Sequence, residues 1–143
     1  HQGTGNVACG FLKGYGIKAG AVALSIAHDS HNIIVVGVSD EEMEFAVNSL
    51  IAQEGGMVLV REGKVLESMP MPIAGLMSDQ SGEWVDEKLT AIHAKAYEEL
   101  GIAGDVEPVM TLCFMSLAVI PEVKLTDMGL FDVTTFSFIP VEA

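Results

Sequence analysis

At 143 residues the chain has the size of one domain, and half of it is hydrophobic with a mean hydropathy of +0.42, which excludes a disordered or fibrous polypeptide. Twenty acidic against seven basic residues leave a net charge of −13. Such a surface repels phosphate backbones and anionic lipid, so neither nucleic acid nor a membrane is expected as a partner.

No apolar run reaches the roughly 18 to 20 residues of a membrane span, and no charged-then-apolar leader opens the chain. The first residue is His1, so a processed product or the tail of a longer polypeptide is expected. Cys9 and Cys113 lie far apart, each in an apolar strand-like run and without CxxC spacing. They read as small buried hydrophobes of a reducing compartment, the cytoplasm; a single bridge between them is the alternative.

In chain order, Val7 to Lys13 reads as a strand closed by Gly14 and Gly16. Ala21 to Ala27 and Ile33 to Val38 read as strands, the second a continuous β-branched run of the kind covered on both faces. Ser39 and Glu42 have capping-box spacing at the head of a helix with acidic residues in its first turn. Met43, Val47, Leu50 and Ile51 form its apolar stripe, and Gly55-Gly56 ends it. Met57–Arg61 and Val65–Met69 read as a hairpin about Glu62-Gly63-Lys64. The irregular apolar stretch from Met71 to Ser78 follows Pro70, and an apolar connector of this kind packs against something.

A second helix is expected from about Gln80 to Leu100, capped by Asp79 or Ser81 and stopped by Gly101. Val85, Leu89, Ile92, Ala96 and Leu100 give its buried face, and His93 reads as an ordinary helix-surface histidine. Met110 to Ile120 suits strand or helix equally. Val133 to Ile139 alternates as a terminal strand with Phe136 and Phe138 on one face. Strands in groups before helices imply one α+β domain over 1–143, with a mixed, largely antiparallel sheet and helices packed on it.

The densest chemistry lies in the loop Ala27-His28-Asp29-Ser30-His31-Asn32, between two apolar runs. Two imidazoles, a carboxylate, a hydroxyl and an amide can recognise a polar heterocycle, or hold an acid or base beside a reaction centre. Equally, Asp29, Ser30 and Asn32 can close Asx or Ser turns on their own backbone. His28-x-x-His31 is short of the three or four ligands a metal site needs, and Ser30 lacks a nucleophile elbow. The glycines at 10, 14, 16 and 20 match no phosphate-loop pattern.

Several segments resemble the C-terminal domain of bacterial adenine deaminases. They are Gly5-Asn6-Val7, Gly10 to Gly16, Ser25 to Gly37, Pro70 to Ser78, Met110-Thr111-Leu112, Val119-Ile120-Pro121, Lys124 to Asp127 and Gly129-Leu130. The pattern departs at Ala19, where a basic residue is expected, and at Cys113, where a hydroxyl is more usual. The resemblance implies hydrolytic deamination of adenine to hypoxanthine by an enzyme of the amidohydrolase superfamily. It implies a metal-dependent (β/α)₈ barrel ahead of this domain, with a divalent metal (manganese or iron) in that barrel and none in this chain. A barrel of about 250 residues does not fit here, and no His-x-His motif is present.

On this reading His28 and His31 contribute a hydrogen bond or proton relay, while Asp29, Ser30 and Asn32 bind substrate or orient the loop. The implied partners are the chain's own N-terminal barrel domain and adenine. The apolar stretch Met71 to Met77 offers a docking face for that barrel or for a second copy in a homo-oligomer. The competing reading is a stand-alone, non-catalytic module that binds a purine or another protein.

Overall fold

The apolar run after Gly20 becomes the central strand. The computed structural model describes residues 3–142. In it β1 (Ala21–Leu24) is buried at every position, between β2 (Ile34–Gly37) and β3 (Gly56–Arg61). β4 (Lys64–Pro70) completes a four-stranded sheet of order β2-β1-β3-β4. The expected α+β class holds, and every pairing in this sheet is antiparallel.

Side chains alternate across a strand, so a strand covered on both faces must be apolar throughout. Ala21, Ala23, Val58 and Val60 pack with Ala46 and Leu50 of α1 (Asp40–Ala52) on one face. Val22, Leu24, Met57, Leu59 and Met69 pack on the other with Ile92 and Ala96 of α2 (Gly82–Glu98) and Leu112 of α3 (Pro108–Cys113).

Ser39 caps α1 by accepting a hydrogen bond from the Glu42 N–H at 3.3 Å. Glu42 does not complete the box. Its Oε1 accepts from the Glu62 N–H at 2.6 Å, tying the helix to the β3–β4 turn. The buried stripe also differs from the expected one. Ala46 and Leu50 are buried, whereas Ile51 faces solvent. The small Ala46 shares its cluster with Ala21 and Ala23, and close approach on that side turns Ile51 outward.

Ser81 caps α2 through the Trp84 N–H at 3.3 Å. The helix stops where Gly101 takes φ +67° and the Ile102 N–H donates to Ala96 O at 3.2 Å. His93 lies on the half-buried flank of α2, its Nε2 2.6 Å from Glu107 Oε1. Glu107 in turn caps α3 by accepting from the Met110 N–H. Met110 to Ile120 thus resolves into a short helix to Cys113 followed by turns. Between β3 and β4, Glu62 and Gly63 both have positive φ and form a two-residue turn, with Lys64 paired opposite Arg61 rather than inside the turn.

Three expectations are corrected. Val7 to Lys13 forms no strand; it runs as exposed coil, with Val7 86% and Phe11 95% exposed. Apolar composition alone does not make a strand when no sheet edge takes up its backbone groups. Cys9 is therefore exposed, while Cys113 is buried, and both are free thiols. Burial, with a smaller contribution from Glu107, pushes the Cys113 thiol up to about 11.

The C-terminal end holds three short strands, not one. β5 (Val123–Thr126), β6 (Gly129–Asp132) and β7 (Ser137–Ile139) form a separate antiparallel sheet. Asp132 Oδ1 accepts from the Thr134 N–H at 2.8 Å and the Thr134 hydroxyl at 2.6 Å, which breaks the expected run 133–139 into a turn and a strand. Phe136 lies in the turn ahead of β7 rather than on a strand face with Phe138, yet both rings meet Phe131 edge-on, at 5.1 and 5.3 Å. Among the described residues no helix is long and apolar enough to cross a membrane.

Two outcomes follow. At Gly56 (φ +105°) a Cβ would sit 2.0 Å from Met69 O, whereas at Gly63 (φ +68°) it meets nothing within 4 Å. Gly56→Ala is expected to cost about 3 kcal/mol or more, and Gly63→Ala about 1 kcal/mol, in denaturant melts. Burial alone would raise the Glu67 carboxyl, but the Lys88 ammonium at 2.7 Å and the Ser68 N–H outweigh it and hold it below its usual range. That stabilisation is complete above the unfolded carboxylate value of about 4.3 and disappears as pH falls through the lower folded value. Glu67→Gln should flatten the acid limb of the stability–pH curve over that window and change little below it.

Candidate functional site

Where β1 ends, Ser25 Oγ accepts from the Gly56 N–H at 2.8 Å and donates to Gly75 O at 2.5 Å. One hydroxyl thus holds the polar loop 25–33 beside the apolar loop 71–77 at the same end of the sheet. The approach is close enough to require glycine: a Cβ at Gly55 (φ +100°) would lie 2.6 Å from Gly75 Cα. Within the apolar loop the Ile73 N–H donates to Met77 O at 3.2 Å, and Ile73 and Met77 remain 46% and 58% exposed.

The polar loop is anchored from α3 and the turns that follow it. The His28 N–H donates to Cys113 O at 2.9 Å, and the Ser116 hydroxyl donates to His28 O at 2.9 Å. The His28 ring stacks on Phe114, with centroids 4.8 Å apart and planes 20° apart. His31 has φ +52° and donates its N–H to Ala27 O at 2.7 Å, closing the loop on itself. Its ring stands edge-on to His28 at 6.2 Å. Asp29 and His31 are exposed; His28, Ser30 and Asn32 are half-buried. Among the described residues, neither Asp29 nor Ser30 spends its side chain on an Asx or Ser turn.

A hollow of about 600 Å³ opens beside this loop. Its polar lining is His31 and Asn32 from the loop, Asn6 from the N-terminal coil, Ser116, and Thr126 and Asp127 from the end of β5. The Asn6 amide donates to Asp127 Oδ2 at 3.4 Å. Of the five residues singled out in the sequence, two therefore line the hollow. His28 stands behind them on its Phe114 platform, and Asp29 and Ser30 do not reach it. Sequence reasoning missed Phe114 and Ser116, which nothing local marks. It also left Asn6, Thr126 and Asp127 unassigned, because only the small C-terminal sheet brings them to the loop. The lining offers amide, hydroxyl, imidazole and carboxylate groups, a set that can both donate to and accept from a planar polar heterocycle.

The divalent metal that the resemblance implies does not fit these residues. Among the described residues His28 and His31 have no third ligand, and no group of three or more His, Cys, Asp or Glu could hold a metal ion.

Fold and rim together define a small α+β module with, at one sheet end, a largely apolar hollow edged by a few polar groups. A model of the adenine deaminase C-terminal domain family matches residues 1–137. The chain is 74% identical, over all 143 residues, to adenine deaminase 2 of Desulfotalea psychrophila, 25% of whose length it covers. It is 52% identical over 141 residues to an adenine deaminase of Nitratidesulfovibrio vulgaris (24% of that protein). It is also 52% identical over 139 residues to one from Halalkalibacterium halodurans (24% of that protein). The chain belongs to the adenine deaminase C-terminal domain family, and it spans about a quarter of the length of these relatives.

Ser25→Ala removes one donor and one acceptor at the junction of the two loops. A loss of about 1–3 kcal/mol is expected, because the Gly56 N–H and Gly75 carbonyl lose their partner. Hydrogen exchange should rise at 71–77 before it rises in β1.

Proposed function

We propose that this chain serves as the C-terminal domain of an enzyme that converts adenine and water to hypoxanthine and ammonia. The hollow lined by His31 and Asn32 faces a reaction centre held by the larger remaining part of that enzyme. One observation carries the reading. Residues from three separate family-like runs, Asn6, His31-Asn32 and Thr126-Asp127, converge on one hollow.

The chemistry suits the substrate. Adenine presents an amino group beside ring nitrogens, and an amide such as that of Asn32 can pair with both at once. An imidazole can give a proton from one ring nitrogen and take one at the other. His31 is the residue assigned to that exchange or to a hydrogen bond on the purine. His28, stacked on Phe114 and fixed through its backbone to Cys113 and Ser116, orders the loop that carries His31. Asp29 and Ser30 act on the substrate only if the remaining polypeptide reaches over them. The divalent metal, manganese or iron, and the water it activates belong to residues outside this chain.

In the complete enzyme, His31→Ala and Asn32→Ala should each lower kcat/KM by about 10- to 100-fold, the cost of a hydrogen bond or proton transfer at the reacting ring. His28→Ala should act more weakly, through loop order. Wild-type steady-state kinetics from both His31→Ala and Asn32→Ala would remove the hollow from catalysis. The 143-residue chain alone should show no adenine turnover, and measurable deamination by it would overturn the division of labour.

A further inference from the structure

The second large hollow of the molecule, about 960 Å³, lies between β2, the coil at residues 9–17 and the small C-terminal sheet. Its walls are mostly apolar, among them Ile17, Val36, Leu112, Leu125 and Leu130, and Lys124 borders it. Lys124 is 8% exposed. It has no ion-pair or side-chain hydrogen-bond partner among the described residues, although the chain carries 20 carboxylates.

The other basic residues behave differently. Arg61, Lys88 and Lys95 are ion-paired, and Lys13, Lys18 and Lys64 stand in solvent. The Lys124 stem is enclosed by these apolar walls, and no carboxylate of the described residues pairs with its ammonium, which leaves that charge open to a partner from outside. On the rim of the same hollow, the Phe11 side chain is 95% exposed.

We infer that this hollow is where the remaining polypeptide of the deaminase docks, seating an apolar segment that carries one Asp or Glu whose carboxylate pairs with Lys124. The inference builds on the reading above that the chain works as part of a longer enzyme. Two observations choose this occupant over a free small anion. About three quarters of each relative's length lies outside the matched region. The exposed Phe11 also extends the apolar surface beyond the hollow itself, as a protein segment would need and a small anion would not.

The test is zero-length carbodiimide cross-linking of the complete enzyme, followed by peptide mass spectrometry. The Lys88–Glu67 pair, 2.7 Å apart, is the internal control and must cross-link. The expected result is an amide between Lys124 and an Asp or Glu outside these 143 residues. It forms within one molecule when 14N- and 15N-labelled enzyme are mixed, and it is lost in Lys124→Met. A cross-link from Lys124 to a carboxylate of this chain, such as Asp40 on the same hollow, overturns the inference. So does a cross-link between two copies, or none while the control forms. A small anion retained in native mass spectrometry and lost in Lys124→Met would make the hollow a ligand site instead. If adenine turnover is normal and the Lys124 cross-link is absent, the docking fails and the functional reading stands. A cross-link in an enzyme that leaves adenine untouched means the reverse.

Discussion

The architecture depends on a close approach of backbones that only glycine permits. Gly56 sits against Met69 O and Gly55 against Gly75 Cα, and the Ser25 hydroxyl bridges the gap between them by accepting from one segment and donating to the other. Without that contact β1, β3 and β4 would still pair, but the two loops leaving their ends would have no fixed relation. The polar loop and the apolar loop are therefore one surface because of a steric allowance in the sheet beneath them.

Covering both faces of the main sheet explains the composition. Every side chain of β1 is buried, so hydrophobic content is high for a chain of this size, and acidic residues are left for the helix surfaces and turns. Stability and solubility are thus separated in space. The apolar layers lie between α1 on one side and α2 with α3 on the other, while a net charge of −13 keeps the outside hydrated. The small C-terminal sheet stands apart from this arrangement. Apart from the buried Lys124 its strands are half-buried or exposed, and it holds together through backbone pairing and the Phe131 cluster.

The main sheet and both long helices are legible in the sequence because their signals are local. Continuous β-branched runs, Ser39 and Ser81 at helix starts, and glycines with positive φ at the stops each act within a few residues. The failures have local causes too. β5 and β6 are four residues each, too short and too mixed in polarity to show alternation. Val7 to Lys13 has the composition of a strand but pairs with no sheet edge. Helical spacing places Ile51 on the buried stripe, whereas Ala46 and Leu50 take the buried positions and Ile51 faces solvent. At the site, the His28 to Asn32 run announces itself as polar residues between apolar strands. Its partners Asn6, Ser116 and Asp127 lie 26, 84 and 95 positions from Asn32 in the numbering, and no local pattern encodes that meeting.

The two hollows have a common wall. Ile34 and Val35 of edge strand β2, with Leu125 opposite, border both of them. A packed wall displaced on one side changes the space on the other. Any preference that an occupant of the larger space has for one position of β2 is returned, by thermodynamic linkage, as an equal preference in the smaller one. On the proposed reading, assembly at the larger hollow and ligand handling at the smaller one would share this strand as a single mechanical coordinate.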